Sequence, residues 1–215
     1  MTKTFTKLSP EKQEAILDAA AYVFARKGYH QANVIDICKK ASISNGALYK
    51  YFRNKKDLYT KVFSSHVERL VEIFSQYYNA MDTTDRSFFD MIEELFSLTP
   101  EYIERERDYI KIYHDLGSAS MDEFTSDLSQ KVEDIAYRFW VKLVDRGKRK
   151  GEIRKNIDSD VAAYMIDNHI TTFNFSCVSE HYAKRFKVFF KHKDEDITVE
   201  EKISLMKRSL RQLLS

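Results

Sequence analysis

Apolar side chains return every three or four residues along most of this chain of 215 residues, and only five glycines and two prolines interrupt them. A stripe of that period is one face of an α-helix, whereas an all-β chain needs many tight turns and the residues that make them. Ile16, Leu17, Ala20, Val23 and Phe24 form the first stripe, and Leu58, Val62, Val67, Leu70, Val71 and Phe74 form another. The spacing predicts an all-α fold, and the length is enough to bury a sizeable core.

Local signals divide the amino-terminal quarter into three helices. Ser9-Pro10 opens the first with a capping hydroxyl and a proline at a position where its missing N–H costs nothing, and Gly28 supplies the left-handed residue that stops it. Asn33 is the expected cap of a two-turn helix over Val34 to Ala41, and Ser42-Ile43 turns the chain into a third helix capped by Ser44. In that third helix Leu48 and Phe52 point inward together, which leaves Asn45, Ala47, Tyr49 and Lys50 on other faces. Two short helices joined by a tight turn are what a helix-turn-helix protein places in the major groove. The outward side chains suit that use: Asn pairs with adenine, an alanine methyl meets a thymine methyl, and Tyr and Lys reach phosphate oxygens. An ordinary amphipathic surface helix carries the same pattern, so the surroundings decide between the two.

Charge decides for DNA. Residues 1–56 hold eleven Lys and Arg against four Asp and Glu, a balance of +7, while the remainder holds 24 against 29, a balance of −5. The amino-terminal quarter is therefore the part that meets a polyanion.

Ile16-Leu17-Asp18-Ala19-Ala20, Phe24-Ala25-Arg26-Lys27-Gly28-Tyr29, Asp36-Ile37, Ala41-Ser42-Ile43-Ser44 and Leu48-Tyr49-Lys50-Tyr51-Phe52-Arg53-Asn54-Lys55 together resemble the amino-terminal domain of the tetracycline-repressor (TetR) family over residues 12–58, without a gap. The resemblance implies base contacts from Asn45, Gly46 and Ala47 and phosphate contacts from Tyr49, Lys50 and Lys55. With Asn33, Ser44 and Tyr51 these complete the candidate DNA-binding set. Ser42 stands where the family usually has glycine, so a positive φ there would strain the backbone. Ile35 replaces a residue that is often polar or basic, and Lys56 one that is often acidic.

Beyond residue 56 the pattern changes to longer helices. These are expected over Asp57 to about Ala80, Arg86 to Leu98, Thr99 to His114 or Asp115, and Met121 to Lys150, the last bearing Phe124 and Leu128. An eighth runs from a cap at Ser159 past Tyr182, and a ninth begins at a capping box of Thr198 and Glu201. Breaks are expected at Asp82–Asp85 and Leu116–Ser118, and a charged loop at Lys191–Asp196. The count and order of helices again resemble the family, which implies a three-helix helix-turn-helix DNA-binding domain over 1–56 followed by a six-helix ligand-binding and dimerisation domain over 57–215.

Catalytic patterns are missing from the sequence. The six histidines, His30, His66, His114, His169, His181 and His192, include no i, i+4 pair and no cysteine at metal-ligand spacing, so neither a metal nor a cofactor is expected. Cys38 and Cys177 sit in apolar helical patterns and read as reduced core residues, which suits a cytoplasmic protein. No apolar run reaches membrane-span length, and the first residues lack the apolar core of a signal peptide.

Aromatic side chains are abundant in the later helices. Most should be core, but together they suit a site for a small apolar or aromatic ligand between helices. The candidate ligand residues are Phe88, Phe96, Tyr102, Tyr109, Tyr113, Phe139, Asn168, His169 and Phe173. The last two helices are expected to pair with those of a second copy through Ile166, Ile170, Phe173, Ile203, Met206, Leu210 and Leu213. The function expected is that of a ligand-responsive transcriptional repressor, a homodimer on a pseudo-palindromic double-stranded DNA operator. The alternatives are a ligand-independent architectural DNA-binding factor and a helical protein-binding adaptor.

Overall fold

A computed structural model describes residues 4–81, 85–116, 122–191 and 197–215, without the side chains of 122–129 and 131. The expected breaks at Asp82–Thr84 and Gly117–Ser118, the 192–196 part of the charged loop, and the side chains of Phe124 and Leu128 lie outside the described residues. The described chain is helical: α1 (Pro10–Gln31), α2 (Val34–Lys40), α3 (Asn45–Tyr51), α4 (Lys55–Ala80), α5 (Phe88–Ser97), α6 (Thr99–Leu116), α7 (Asp122–Lys150), α8 (Ser159–Val178), α9 (Glu180–Phe189) and α10 (Val199–Leu214). It forms two compact units, Met1–Arg69 with Asp108–Ser129 and Leu70–Arg107 with Gln130–Ser215.

In the first unit the caps stand where local chemistry puts them. Ser9, Asn33 and Ser44 each accept a backbone N–H of the helix that follows. Gly28 has φ 68° and kinks α1, whose last turn then continues to Gln31. Ile16, Phe24, Ile37, Leu48, Phe52, Leu58 and Val62 are fully buried and make one core under α1, the short helices α2 and α3, and the start of α4. Phe5 joins it from a 3-10 turn at Phe5–Lys7, with its ring 4.8 Å from that of Phe52. Tyr109 of α6 donates to Asp18 of α1 at 2.8 Å, and burial beside that carboxylate pushes its phenol up.

In the second unit α7 comes close to its neighbours at one glycine. Gly147 lies inside α7 where a Cβ would stand 2.8 Å from Ile153 and 3.1 Å from Phe88, so a larger residue would force those neighbours apart. The capping box of Thr198 and Glu201 opens α10 as expected. Two expectations need correction. Asp158, not Ser159, caps α8, accepting from Asp160 and Val161 at 3.0 Å, while the Ser159 hydroxyl donates to Asp145 at 2.6 Å. The long eighth helix ends at Val178, and an extended Ser179 starts a separate α9, so seven helices rather than six follow α3 among the described residues. The run Ser176-Cys177-Val178-Ser179 favours the break, because Ser176 turns its hydroxyl onto the Phe173 carbonyl at 2.7 Å and β-branched and serine residues are weak helix formers.

Candidate nucleic-acid interface and ligand cavity

The turn between α2 and α3 is closed by its own backbone. Ile43 N–H donates to the Cys38 carbonyl at 3.0 Å and Ser42 N–H to the Lys39 carbonyl at 3.3 Å, the two bonds of a Schellman stop, and Ser42 sits between them at φ 53°. A stop of this kind needs a left-handed residue, which is why glycine is favoured there and why serine is strained. Ser44 then accepts from Ala47 N–H at 3.1 Å and fixes the first turn of α3. Leu48 and Phe52 bury the inner face, so the helix presents Asn45, Gly46, Tyr49 and Lys50 outward, with Ala47 and Tyr51 partly covered.

Each candidate DNA contact has a place in that geometry. The Cys38 thiol lies 4.0 Å from Asn45 Oδ1, a weak tether that leaves the carboxamide a second oxygen lone pair and its N–H donors. Gly46 has nothing within 4 Å of where a Cβ would be, so the protein itself has no packing reason to leave that position bare. Tyr49 is half exposed, and Tyr51 packs edge-on against Phe5 at 5.9 Å. Asn33 is engaged as a cap, with Ile35 N–H on its side chain at 2.9 Å. Lys55 is unlike the rest. Its ammonium donates to the carbonyls of His30 and Ala32, both at 3.1 Å, and stands 4.7 Å from the Tyr29 ring centre. Arg26 and Lys27 are also engaged, pairing with Asp108 and Asp36 at 2.9 and 2.8 Å, and the Lys27 bond holds the Asp36 carboxyl below its usual range.

The second unit contains an apolar cavity of about 370 Å³, lined by Leu70, Ile73, Phe74 and Tyr77 of α4, Ile92 and Phe96 of α5, Tyr102 and Arg105 of α6, Trp140 of α7, and Ile170 and Asn174 of α8 among others. Two of the candidate ligand residues, Phe96 and Tyr102, line it. Phe139 and Phe173 are buried behind the wall, Phe139 against Phe74 and Trp140 and Phe173 edge-on to Phe96 at 6.0 Å. The other five lie elsewhere. Phe88 is sealed in the core, Asn168 is exposed and donates to the Tyr164 carbonyl at 2.8 Å, and His169 bonds Ser209. Tyr109 and Tyr113 belong to the first unit, where Tyr113 stacks on Phe63. An aromatic in a helical stripe marks the buried face without saying whether atoms or space lie beyond it. Trp140, Arg105, Ile170 and Asn174 also line the cavity although the sequence did not single them out for it; the i, i+4 pair Ile170 and Asn174 is a signal that could have placed one face of α8 there.

The residues expected at a dimer interface have these places in the protomer. Ile166, Phe173, Ile203, Met206 and Leu210 are buried within a single protomer, and Ile170 lines the cavity, so only Leu213 among the seven is partly exposed and outside it. The apolar side chains that α8 leaves outside are Val161, Tyr164 and Met165.

A turn closed on itself, a short capped helix with polar and small residues outward, and a basic amino-terminal quarter define a helix-turn-helix DNA-binding regulator. Residues 16–62 match the family described as bacterial regulatory proteins, tetR family. A fatty acid metabolism regulator protein of Bacillus subtilis is 28% identical over 173 residues, covering 75% of this chain and 83% of that protein. The transcriptional repressor KstR2 of Mycolicibacterium smegmatis is 27% identical over 155 residues, covering 72% and 74%. The crystal structure of FadR from Bacillus subtilis in complex with stearoyl-CoA superposes with a TM-score of 0.63 at 21% identity, over 93% of this chain and 96% of that one. Residues 16–62 are a TetR-family DNA-binding region, and the chain is a DNA-binding transcriptional regulator. No helix among the described residues is long and apolar enough to cross a membrane.

Proposed function

We propose that the protein is a ligand-responsive repressor that binds a pseudo-palindromic operator as a homodimer and is released by an elongated apolar ligand of the acyl-chain type. In this reading residues 1–56 read DNA, and residues 57–215 bind ligand and dimerise. The observation that carries the reading is the apolar cavity in a chain that also bears a complete helix-turn-helix. Its volume of about 370 Å³ lies in the range of small-molecule sites. The names of two relatives, a fatty acid metabolism regulator and a repressor, and the stearoyl-CoA held by a protein of the same fold, favour a lipid-like occupant and repression.

Asn45, Gly46 and Ala47 are assigned to base edges, and Tyr49 and Lys50 to phosphates. Dimerisation is assigned to the outer face of α8, with Val161, Tyr164 and Met165 as its apolar centre. The helix α4 begins at Lys55 and carries Leu70, Ile73, Phe74 and Tyr77 in the cavity wall, so one element spans both tasks. A ligand displaces DNA by no more than its difference in affinity for the two conformations.

Selection of bound sites from a random duplex pool tests the reading, followed by titration of the selected complex with long-chain acyl-CoA and with free fatty acid. A palindromic site that either lipid releases is expected. A non-palindromic or unselective result favours the architectural factor, and a palindrome indifferent to both lipids removes the acyl-type ligand.

A further inference from the structure

We infer that Lys55 is a positioning residue that ties the first turn of α4 to the end of α1, and that it sets the reading helix through this tie instead of by holding a phosphate. The inference rests on the DNA-binding role already shown and goes beyond it, and every residue it uses belongs to the first unit.

Lys55 is the first residue of α4, where the helix dipole disfavours a cation. A lysine at that place needs compensation, and DNA phosphate is the obvious source. The geometry supplies another. The last carbonyls of a helix have no partner within it and carry the negative end of its dipole. The Lys55 ammonium reaches two such groups at the end of α1, those of His30 and Ala32, each at 3.1 Å. The face of the Tyr29 ring lies 4.7 Å away and adds a third source of negative potential. The ammonium is therefore directed at the protein on three sides, and its backbone partners lie 23 and 25 residues earlier in the chain.

What this tie fixes is the corner from which α2 departs. Ala32 is the final cap of α1, and the next residue, Asn33, caps α2. α2 in turn ends in the Schellman stop that leads into α3. Gly28, with φ 68° and ψ 165°, breaks α1 one turn before the tie, so the segment that Lys55 grips is not held in line by the helix itself. A displacement of α4 is passed through Lys55 to the α1–α2 corner and from there to the reading helix. This is a role for the side chain that no phosphate contact requires.

The test uses the full-length protein, an operator selected from a random pool, and the variants Lys55→Met, Lys55→Gln and Lys50→Met, each checked by circular dichroism. Lys55→Met removes the donors, and Lys55→Gln retains an amide that reaches one carbonyl. Lys50→Met serves as the comparator for a phosphate contact. Lys55→Met is expected to weaken operator binding about tenfold, as loss of a charge-assisted hydrogen bond does, while random duplex is held nearly as before. The slope of log affinity against log salt should stay at the wild-type value for Lys55→Met and fall by roughly 0.9 for Lys50→Met. Lys55→Gln should fall between Lys55→Met and the wild type on the operator, and it alone decides if Lys55→Met does not fold. Equal losses on operator and random DNA with a reduced salt slope make Lys55 a phosphate contact and overturn the inference. A lowered melting temperature with unchanged operator affinity makes it a stabiliser only and overturns the inference equally, as does no effect of either variant.

Discussion

Trp140 donates its indole N–H to the Asp167 carboxylate at 2.9 Å, joining α7 to α8. Trp140 also lines the cavity and is the only tryptophan of the chain, so its emission should report any ligand that enters. Burial raises the Asp167 carboxyl above its ordinary value near 3.8 despite the indole bond. A group whose folded pKa is raised contributes stability below its unfolded pKa and loses it as pH rises through the folded value. Asp167→Asn keeps an oxygen acceptor for Trp140 and abolishes the charge. Denaturant unfolding should therefore find variant and wild type similar near pH 4 and the variant more stable at pH 7, with no such trend for a residue outside the buried pair. A variant less stable than the wild type at pH 7 would mean that the charged hydrogen bond outweighs desolvation.

His169 tests the opposite sign. Burial holds its imidazole below the ordinary 6.5, and its Nε2 is hydrogen-bonded with the Ser209 hydroxyl. The folded state thus resists protonation, and the stability His169 contributes is present above pH 6.5 and lost as pH falls through the folded value. The wild type should lose more thermal stability than His169→Gln between about pH 8 and about pH 5. Parallel losses in the two proteins would place the acid sensitivity elsewhere.

Ser42 carries strain that glycine would not. Its φ of 53° lies in the left-handed region and its backbone bonds close the stop of α2. Ser42→Gly should stabilise the protein by about 0.5–1 kcal/mol, the relief of the left-handed conformation less the added freedom of the unfolded chain. Operator affinity should hardly change, because the turn geometry is kept. Destabilisation would show that the serine hydroxyl contributes more than the strain costs.

Gly46 separates folding from DNA reading. A methyl group there meets no atom of the protein, and alanine is the better helix former by roughly 0.5–1 kcal/mol, so Gly46→Ala should melt at the wild-type temperature or above. The same methyl should obstruct the close approach of DNA and weaken operator binding. Asn45→Ala, one residue earlier, should cost about 1–3 kcal/mol on the operator and relax preference at one base position per half-site. Full operator affinity in Gly46→Ala would move the contact surface away from the start of α3.

What the sequence determines by itself is whatever a few neighbouring residues can settle. Ser9, Asn33, Ser44 and Thr198 cap helices because a hydroxyl or carboxamide reaches a backbone N–H two or three residues ahead, and no distant part of the chain has to agree. The helix-turn-helix is legible for the same reason, since its stop, its cap and its inward pair Leu48 and Phe52 fall within one short stretch. The tertiary structure decides what a helical stripe faces. Within the protomer Ile166 and Met206 are buried, Ile170 lines a cavity, and Val161 and Tyr164 are exposed, although four of these five lie on the one helix α8. Periodicity gives the direction of a side chain relative to its own helix, and burial depends on what another helix brings to that side. Lys55 marks the same boundary. Its charge and its place at the head of α4 are plain in the sequence, but the two carbonyls that receive it come from more than twenty residues away, and only the folded chain brings them within 3.1 Å.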